Sequence, residues 1–483
     1  MQRVTFHRTW PLFDVAALRA IEQAAASSLP PHALMQRAGL AVARLALAIA
    51  PDAKVIWIAC GPGNNGGDGL EAAMHLRQWG KQARVSLLAD ETRMPADAAA
   101  SLQRARSAGV SVAAQPPPHW DLAIDALLGL GNARPLEGAI ADWAGRMSAG
   151  PACVLAVDLA SGLHPDTGAG NPVKATHTLS LLALKPGLFT AGGRDASGQV
   201  WLDDLGVEMP APTPHAWLAG PPPAAPRLHA SHKGSHGDIA VIGGARGMAG
   251  AGLLAARAAL HAGAGRVFTA LLDDAALALD PCQPELMLRR WDSLDIAQMA
   301  VACGCGGGDA VRAVLPKVLS AAGSLVLDAD ALNAIAGDTQ LQSLLQARTR
   351  RQRPTVLTPH PLEAARLLGC GTAQVQGDRV AASCELAQRF GCVVALKGSG
   401  TVIGAAGVAP LINPTGNGRL ATAGTGDVLA GMIAARLAGG DAAFEAAAAA
   451  VYTHGLAADR WPAHLPLTAS SLARGWPATT NSA

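Results

Sequence analysis

The chain has 483 residues, a length that favours two or three domains over a single core. Half of its residues are hydrophobic and 15% are charged, which excludes a disordered or strongly solvated chain. A formal charge of +2, with one Tyr, six Phe and ten Trp, gives no footing for nucleic acid, an anionic membrane or a base-stacking platform. The opening Met-Gln-Arg-Val-Thr-Phe-His lacks a basic stretch followed by an apolar run, so no signal peptide is expected. Ala-rich segments such as Ala443–Val451 are too short to span a bilayer, and a soluble cytoplasmic protein is expected. None of the eight cysteines forms a Cys-x-x-Cys pair. Cys303-Gly-Cys305 could be read as a redox or metal pair, but small buried thiols in a reducing compartment are the preferred reading.

In chain order, helical spacing over Asp14–Ser28 and Ala33–Ile49 precedes the first strand pattern. Short apolar runs then alternate with helices. Strands are expected at Val55–Cys60, Arg84–Ala89, Leu122–Leu128 and Val154–Val157, and helices at Asp68–Trp79, Ala96–Ala108 and Leu136–Ser148. This alternation implies a largely parallel, doubly wound sheet with an extra helical pair on one side. Pro210-Ala-Pro-Thr-Pro and Pro221-Pro-Pro-Ala-Ala-Pro226 interrupt it as an extended linker. The boundary is expected near residue 225, giving domains over 1–220 and 221–483. Beyond it the expected elements are Asp238–Ile242, Ala249–Ala262, Arg266–Ala270, Ser324–Leu327, Thr355–Leu357, Val393–Lys397 and Asp427–Ala438. The halves show no convincing repeat and are read as unrelated α/β domains joined end to end.

Two Gly-rich turns closed by aspartate carry the chemistry. Gly61-Pro-Gly-Asn-Asn-Gly-Gly-Asp68-Gly69 follows the first strand of the sheet, and Ala423-Gly-Thr-Gly-Asp427 opens the last expected helix. Such turns let backbone N–H groups and a helix N-terminus hold an anion. In the first half, Asp125-Ala-Leu-Leu-Gly-Leu-Gly131 and Asp158-Leu-Ala-Ser161 end the following strands. Ligands of open α/β sheets bind beyond the strand C-termini, so Asn65, Asp125, Asp158 and Ser161 should converge there. Their hard oxygens suit a group I or II cation. In the second half the ordered signals are His232-Lys-Gly-Ser-His-Gly237, Gly247-Met-Ala-Gly-Ala251, Gly304-Cys-Gly306, Asp328-Ala-Asp330-Ala-Leu-Asn333, Thr358-Pro-His360-Pro, Lys397-Gly-Ser-Gly-Thr401 and Asn413-Pro-Thr-Gly-Asn417. The final Gly424-Thr-Gly-Asp427 can stabilise a transferring phosphoryl group while Asp427 takes a proton from an attacking hydroxyl. The absence of a Walker lysine excludes a P-loop enzyme.

Over residues 10–210 these motifs, with Lys185-Pro-Gly-Leu188, resemble the NAD(P)H-hydrate epimerase family. The resemblance implies a potassium ion held at Asn65, Asp125 and Ser161, and Asp158 as the catalytic group. It also implies a damaged nicotinamide nucleotide contacted by Asn64, Asn65, Gly66, Gly67, Asp68, Gly129, Leu130, Gly131, Asn132, Ala133, Arg134, Pro135 and Asp158. Ala160 departs from the Pro that usually precedes the Ser. Residues 228–470 resemble the ribokinase-like, nucleotide-dependent NAD(P)H-hydrate dehydratases. That resemblance implies substrate at Ala251, Gly306, His360 and Asp427, and nucleotide at Lys397, Gly398, Ser399, Gly400, Thr401 and Gly426. It implies Mg2+ and ADP as cofactors, ADP being preferred over ATP because such fusions look bacterial, and a homo-oligomer. Cys303 and Cys305 alter the usual Gly-Pro-Gly-Leu-Gly turn, and Leu362 replaces a usual Gly.

The implied protein is bifunctional. Its first half interconverts the R and S hydrates of NADH and NADPH, and its second half dehydrates the S form at the expense of ADP. The rival readings are a ribokinase-like small-molecule kinase with an N-terminal nucleotide-sensing domain, and an N-terminal half that only binds nucleotides or a protein.

Overall fold

The computed structural model describes residues 1–131, 135–208, 213–224, 227–273 and 278–475. The chain divides into two compact units, Met1–Thr5 with Trp10–Trp217, and Phe6–Thr9 with Leu218–Ala483. The expected end-to-end succession is thus interrupted once. In the second unit the Phe6 carbonyl accepts a hydrogen bond from Tyr452 Oη at 3.0 Å.

The first unit is built on an eight-stranded sheet: β1 (Gln2–Arg3), β2 (Val55–Cys60), β3 (Gln82–Leu87), β4 (Ser111–Ala113), β5 (Leu122–Ala126), β6 (Cys153–Val157), β7 (His177–Leu181) and β8 (Gln199–Asp203). Their order is β1-β8-β7-β6-β5-β2-β3-β4, parallel except for β1 against β8. From β2 the chain winds outward through β3 and β4, then returns to β5 and winds the other way. The topological switch therefore lies between β2 and β5, where this class of sheet opens a crevice.

The central strands are buried on both faces. One core layer forms around Ile56, Ile58 and Ile124, and the other around Trp57, Ala123 and Trp143. That double burial explains why these strands read as unbroken apolar runs. Asp14 caps helix α1 (Val15–Ser27) by accepting from Ala17 N at 2.8 Å, and α2 (Ala33–Ile49) follows. Helix α3 (Asn64–Gln78) begins four residues before the expected Asp68, so the two Asn form its first turn. Helix α4 (Gly138–Ala149) follows β5, starting two residues later than expected. The expected strand at Arg84–Ala89 slides to the bounds of β3. The strand expected to reach Leu128 stops at Ala126, where Asp125 Oδ1 accepts from Leu127 N. Strands β7 and β8 carry polar residues and gave too weak an alternation to be expected.

The second unit contains β9 (Asp238–Gly243), β10 (Arg266–Leu271), β11 (Met287–Leu288), β12 (Ala300–Cys303), β13 (Ser324–Leu327), β14 (Thr355–Leu357), β15 (Val393–Leu396), β16 (Val402–Ala405) and β17 (Val408–Ile412). These run in the order β11-β10-β9-β12-β13-β14-β15-β16-β17. Pairing is parallel as far as β15, and β16 and β17 add antiparallel strands. Here the switch falls between β9 and β12. Helix α5 (Ala249–His261) follows β9, α6 (Pro361–Leu368) follows β14, and α7 (Thr425–Ala438) comes after the sheet. Strands β12, β16 and β17 were not expected, their short runs lying among Gly and Cys or Gly and Ala. Among the described residues no helix is long and apolar enough to cross a membrane, and all eight cysteines are free.

Candidate functional sites

At the first switch point Gly61 and Gly66 meet closely. A Cβ at position 66 would stand 2.1 Å from Gly61 O, so glycine is needed for α3 to start tight against β2. The turn delivers Asn65, whose Nδ2 donates to Leu128 O at 3.1 Å. Ser161 Oγ donates to Asp125 Oδ1 at 2.6 Å and accepts from Leu128 N at 2.9 Å. Ser161 N donates to Asp125 Oδ2 at 2.8 Å. Ala160 thus leaves Ser161 locked to Asp125. Asp125 is fully buried and, among the described residues, has no cationic partner. Burial raises its pKa, partly offset by the Ser161 and Leu127 hydrogen bonds. A buried carboxylate without a counter-charge is neutralised by a proton or by a cation, and the oxygens of Asn65, Asp125 and Ser161 are of the kind that would hold the potassium ion implied by the family resemblance.

Beside this cluster a cleft of about 630 Å³ is lined by Asn64, Asn65, Asp68, Gly129, Leu130, Gly131 and Asp158, and by Arg19, Glu22, His32, Arg93 and Asp97. Asp158 has φ +68°, a left-handed conformation uncommon for a non-glycine residue and typical of strain held at functional positions. Its Oδ1 accepts from Leu181 N at 3.0 Å and from the ammonium of Lys185. Lys185 is fully buried and also donates to Ser180 Oγ at 3.0 Å and to the carbonyls of Ala183 and Leu181 at 3.1 and 3.2 Å. Four acceptors therefore fix one ammonium, which in turn fixes Asp158. Burial, followed by the charges of Asp158 and Glu22, pushes the Asp68 carboxyl well above its usual range.

Not every expected contact residue faces this cleft. Gly66 and Gly67 are buried in helix packing, and a Cβ at 67 would stand 2.5 Å from Met35 Sδ. Pro135 lines a separate cavity of about 500 Å³ with Leu136, His164 and Lys174. Asn132, Ala133 and Arg134 lie outside the described residues.

The second site gathers the carboxyl ends of β12 to β15 and the head of α7. Asp427 lies in the first turn of α7, and its carboxylate, that of Asp328 and the Cys305 thiol offer ligand atoms within 4.8 Å of one another. Lys397 Nζ donates to Asp328 Oδ1 and stands 4.0 Å from Glu363 Oε2. A Cβ at Gly426 would sit 3.3 Å from the same ammonium, so the Gly-rich turn and Lys397 face one space. A Cβ at Gly306 would meet that of Ala251 at 2.7 Å, joining those two positions. His360 caps α6: its Nδ1 accepts from Leu362 N at 3.1 Å, while Glu363 Oε2 accepts from His360 N at 2.7 Å. Its Nε2 lies 3.2 Å from Glu363 Oε1.

Burial, reinforced by the Asp328 charge, raises Asp427 to about 7. Burial also raises Glu363 to about 7, Lys397 opposing and Asp328 adding to the shift. The His360 imidazole is lowered by burial and then by Lys397. A carboxyl poised near neutrality beside a Gly-rich helix N-terminus and an ammonium can remove a proton from a hydroxyl while the amide groups and Lys397 hold phosphate.

His454 Nε2 donates to Thr425 O at 3.0 Å and holds this turn from within the unit. Asn413 N donates to Thr401 O at 2.9 Å, which ties the Asn-Pro-Thr-Gly-Asn motif to the Lys397–Thr401 loop. Sequence reasoning named Lys185 and Asp328 only as motif letters and passed over Glu22 and Glu363. The lone buried charge in Lys185-Pro-Gly-Leu188 was the available signal for the first. Cys305, where the family usually has Leu, is buried against Asp427.

Comparison with known proteins gives each half of the chain its own family match. Residues 239–474 match the family described as NAD(P)H-hydrate dehydratase, and residues 31–187 match the YjeF-related protein N-terminus. The chain is 37% identical over 482 residues to the bifunctional NAD(P)H-hydrate repair enzyme Nnr of Escherichia coli K12, covering 94% of this chain and 89% of that protein. The protein of the same name from Coxiella burnetii is 33% identical, with 93% and 94% covered. The ADP/ATP-dependent NAD(P)H-hydrate dehydratase of Bacillus subtilis, co-crystallised with ATP and Mg2+, is 32% identical with a TM-score of 0.43, covering 51% of this chain and 90% of that one. The chain belongs to the family of bifunctional NAD(P)H-hydrate repair enzymes.

Proposed function

We propose that Asp158 and Asp427 are the proton-transferring groups of the two half-reactions, one in each unit. The enzyme epimerises hydrated NAD(P)H in its N-terminal half and dehydrates the S epimer in its C-terminal half. Hydration leaves a hydroxyl on a ring carbon beside nitrogen. The nitrogen lone pair can expel that hydroxyl, and water can return to either face, which interconverts the epimers. Asp158, which lines the cleft and is steadied by Lys185, would carry the proton in this step. Potassium would be held by Asn65, Asp125 and Ser161, neutralising the buried Asp125.

In the second unit Asp427 would take the proton from the hydroxyl of the S epimer as it attacks a phosphoryl group. Lys397, Gly398, Ser399, Gly400, Thr401 and Gly426 would hold the nucleotide, with ADP as donor and Mg2+ arriving on its phosphates. Substrate would rest against Ala251, Gly306 and His360. Phosphate is a better leaving group than hydroxide, and nucleotide cleavage makes the loss of water effectively irreversible.

The observation that carries this reading is that each aspartate stands among the carboxyl ends of its unit's parallel strands with an ammonium close by: Lys185, which donates to Asp158 itself, and Lys397, which donates to Asp328, the carboxylate beside Asp427. The test is to incubate separated epimers with ADP or ATP and follow the absorbance of reduced nicotinamide. Restored absorbance from both epimers supports the reading. Phosphorylated hydrate accumulating without it would make the second unit a kinase.

A further inference from the structure

We propose that Glu22 is a second proton-transferring group of the epimerase cleft, serving the ring face that Asp158 does not. This inference rests on the assignment of Asp158 to the epimerisation. Epimerisation through loss and return of water has a stereochemical requirement. The C–O bond breaks as the ring nitrogen's lone pair forms a C=N bond, and the hydroxyl takes a proton and leaves as water. A second water then adds to the same carbon from the opposite face, and its proton goes to a base on that face. The products differ from the reactants only in configuration. Protons are therefore handled on both faces, while a single fixed carboxylate serves one.

The cleft supplies a second candidate. Glu22, on α1, lines the same 630 Å³ space as Asp158, which follows β6, so the two carboxyls enter it from different elements. Asp158 is held by Leu181 N and Lys185, whereas Glu22 makes no hydrogen bond or ion pair among the described residues. An unpartnered, half-buried carboxyl facing a ligand cleft is free to exchange a proton with what enters it. The groups acting on it are Asp158 and Asp97, which favour its protonated form, and Lys185 and Arg19, which oppose it, with burial the largest influence and its pKa raised overall. Asp68 stands near enough to be influenced by Glu22 in turn. Glu22 also precedes residues 31–187, the stretch that matches the family pattern, so that match assigns it nothing.

The experiment uses the full-length enzyme without nucleotide, so that dehydration is silent, and one pure epimer in oxygen-18 water. It compares heavy oxygen entering the recovered starting epimer with formation of the other epimer. In Glu22→Gln, epimerisation should fall by about 100-fold or more, with little change in substrate affinity, while exchange with retention continues at Asp158. Glu22→Asp should recover part of the loss, as a purely structural role would not predict. Unchanged epimerisation in Glu22→Gln, or exchange and epimerisation falling together, would overturn the inference and leave Asp158 untouched. Asp158→Asn behaving like the unmutated enzyme in both measurements would instead overturn the assignment of Asp158.

Discussion

Asp427 is held at about 7 by burial and by the Asp328 charge, and this sets two expectations with opposite signs. As a base it acts when ionised, so kcat/KM for dehydration should rise with pH through about 7. Asp427→Ala should remove at least ~100-fold of the dehydration rate while leaving epimerisation intact. Near-normal dehydration by that variant would remove Asp427 from its role. In stability the sign reverses. The folded pKa lies above the ordinary aspartate value of 3.8, so the folded state binds more protons between those limits, and the contribution is lost as pH rises through about 7. Asp427→Asn should therefore be more thermostable than the parent at pH 8, with the difference vanishing near pH 4. Equal melting temperatures across that range would mean that Asp427 is well solvated. As candidates, Asp158 and Asp427 stand out in the sequence because one follows directly on a strand end and the other closes a Gly-rich turn at a helix start. Lys185, Asp328 and Glu363 acquire their roles from partners 27 to 69 residues away, such as Lys185 on Asp158 and Lys397 on Asp328, and no local pattern encodes such pairing.

At the scale of elements, each site depends on how closely one helix approaches its neighbours. A Cβ at Gly431 of α7 would stand 2.0 Å from Ala255 O of α5, so this residue sets the distance between the two helices. Gly431→Ala must shift α7 and with it Gly426 and Asp427, one turn toward its N-terminus. Dehydration should be lost and the epimerase rate retained. Retention of both activities would show that α7 tolerates displacement. In the first unit the loop after β5 and the head of α3 are joined through Asn65, Leu128 and Ser161 around an uncompensated Asp125. Potassium should therefore raise the melting temperature of the epimerase unit relative to a bulky organic cation, and epimerisation should require it. An Asp125→Asn variant should lose most of that response. A melting temperature and rate indifferent to potassium would remove the ion from this cluster. The helix pattern over Ala33–Ile49 was readable to the residue, since its apolar face packs on the sheet-covering layer. The start of α3 was not, because Gly63 leads into it without a side-chain cap.

At the scale of the whole molecule, the fusion joins a step without stereochemical preference to one that accepts a single epimer. Both units are built on largely parallel sheets with their candidate sites at the strand carboxyl edge, a layout that strand–helix alternation made legible. The switch points were not legible, since strand order depends on pairings such as β2 with β5 and β9 with β12, formed far apart in sequence. The brief grouping of Phe6–Thr9 with the second unit likewise leaves no compositional trace. Asp158→Asn keeps the size of the carboxylate but cannot accept a proton, and Asp427→Ala lacks the second base. The most direct test is repair of an epimer mixture by these variants, alone and combined, followed by the return of reduced-nicotinamide absorbance. Asp158→Asn alone should give a fast phase from the S epimer and then a slow one, Asp427→Ala alone should give almost no recovery, and the two together should restore a single complete phase. A single fast, complete phase from Asp158→Asn alone would contradict the division of labour between the two aspartates.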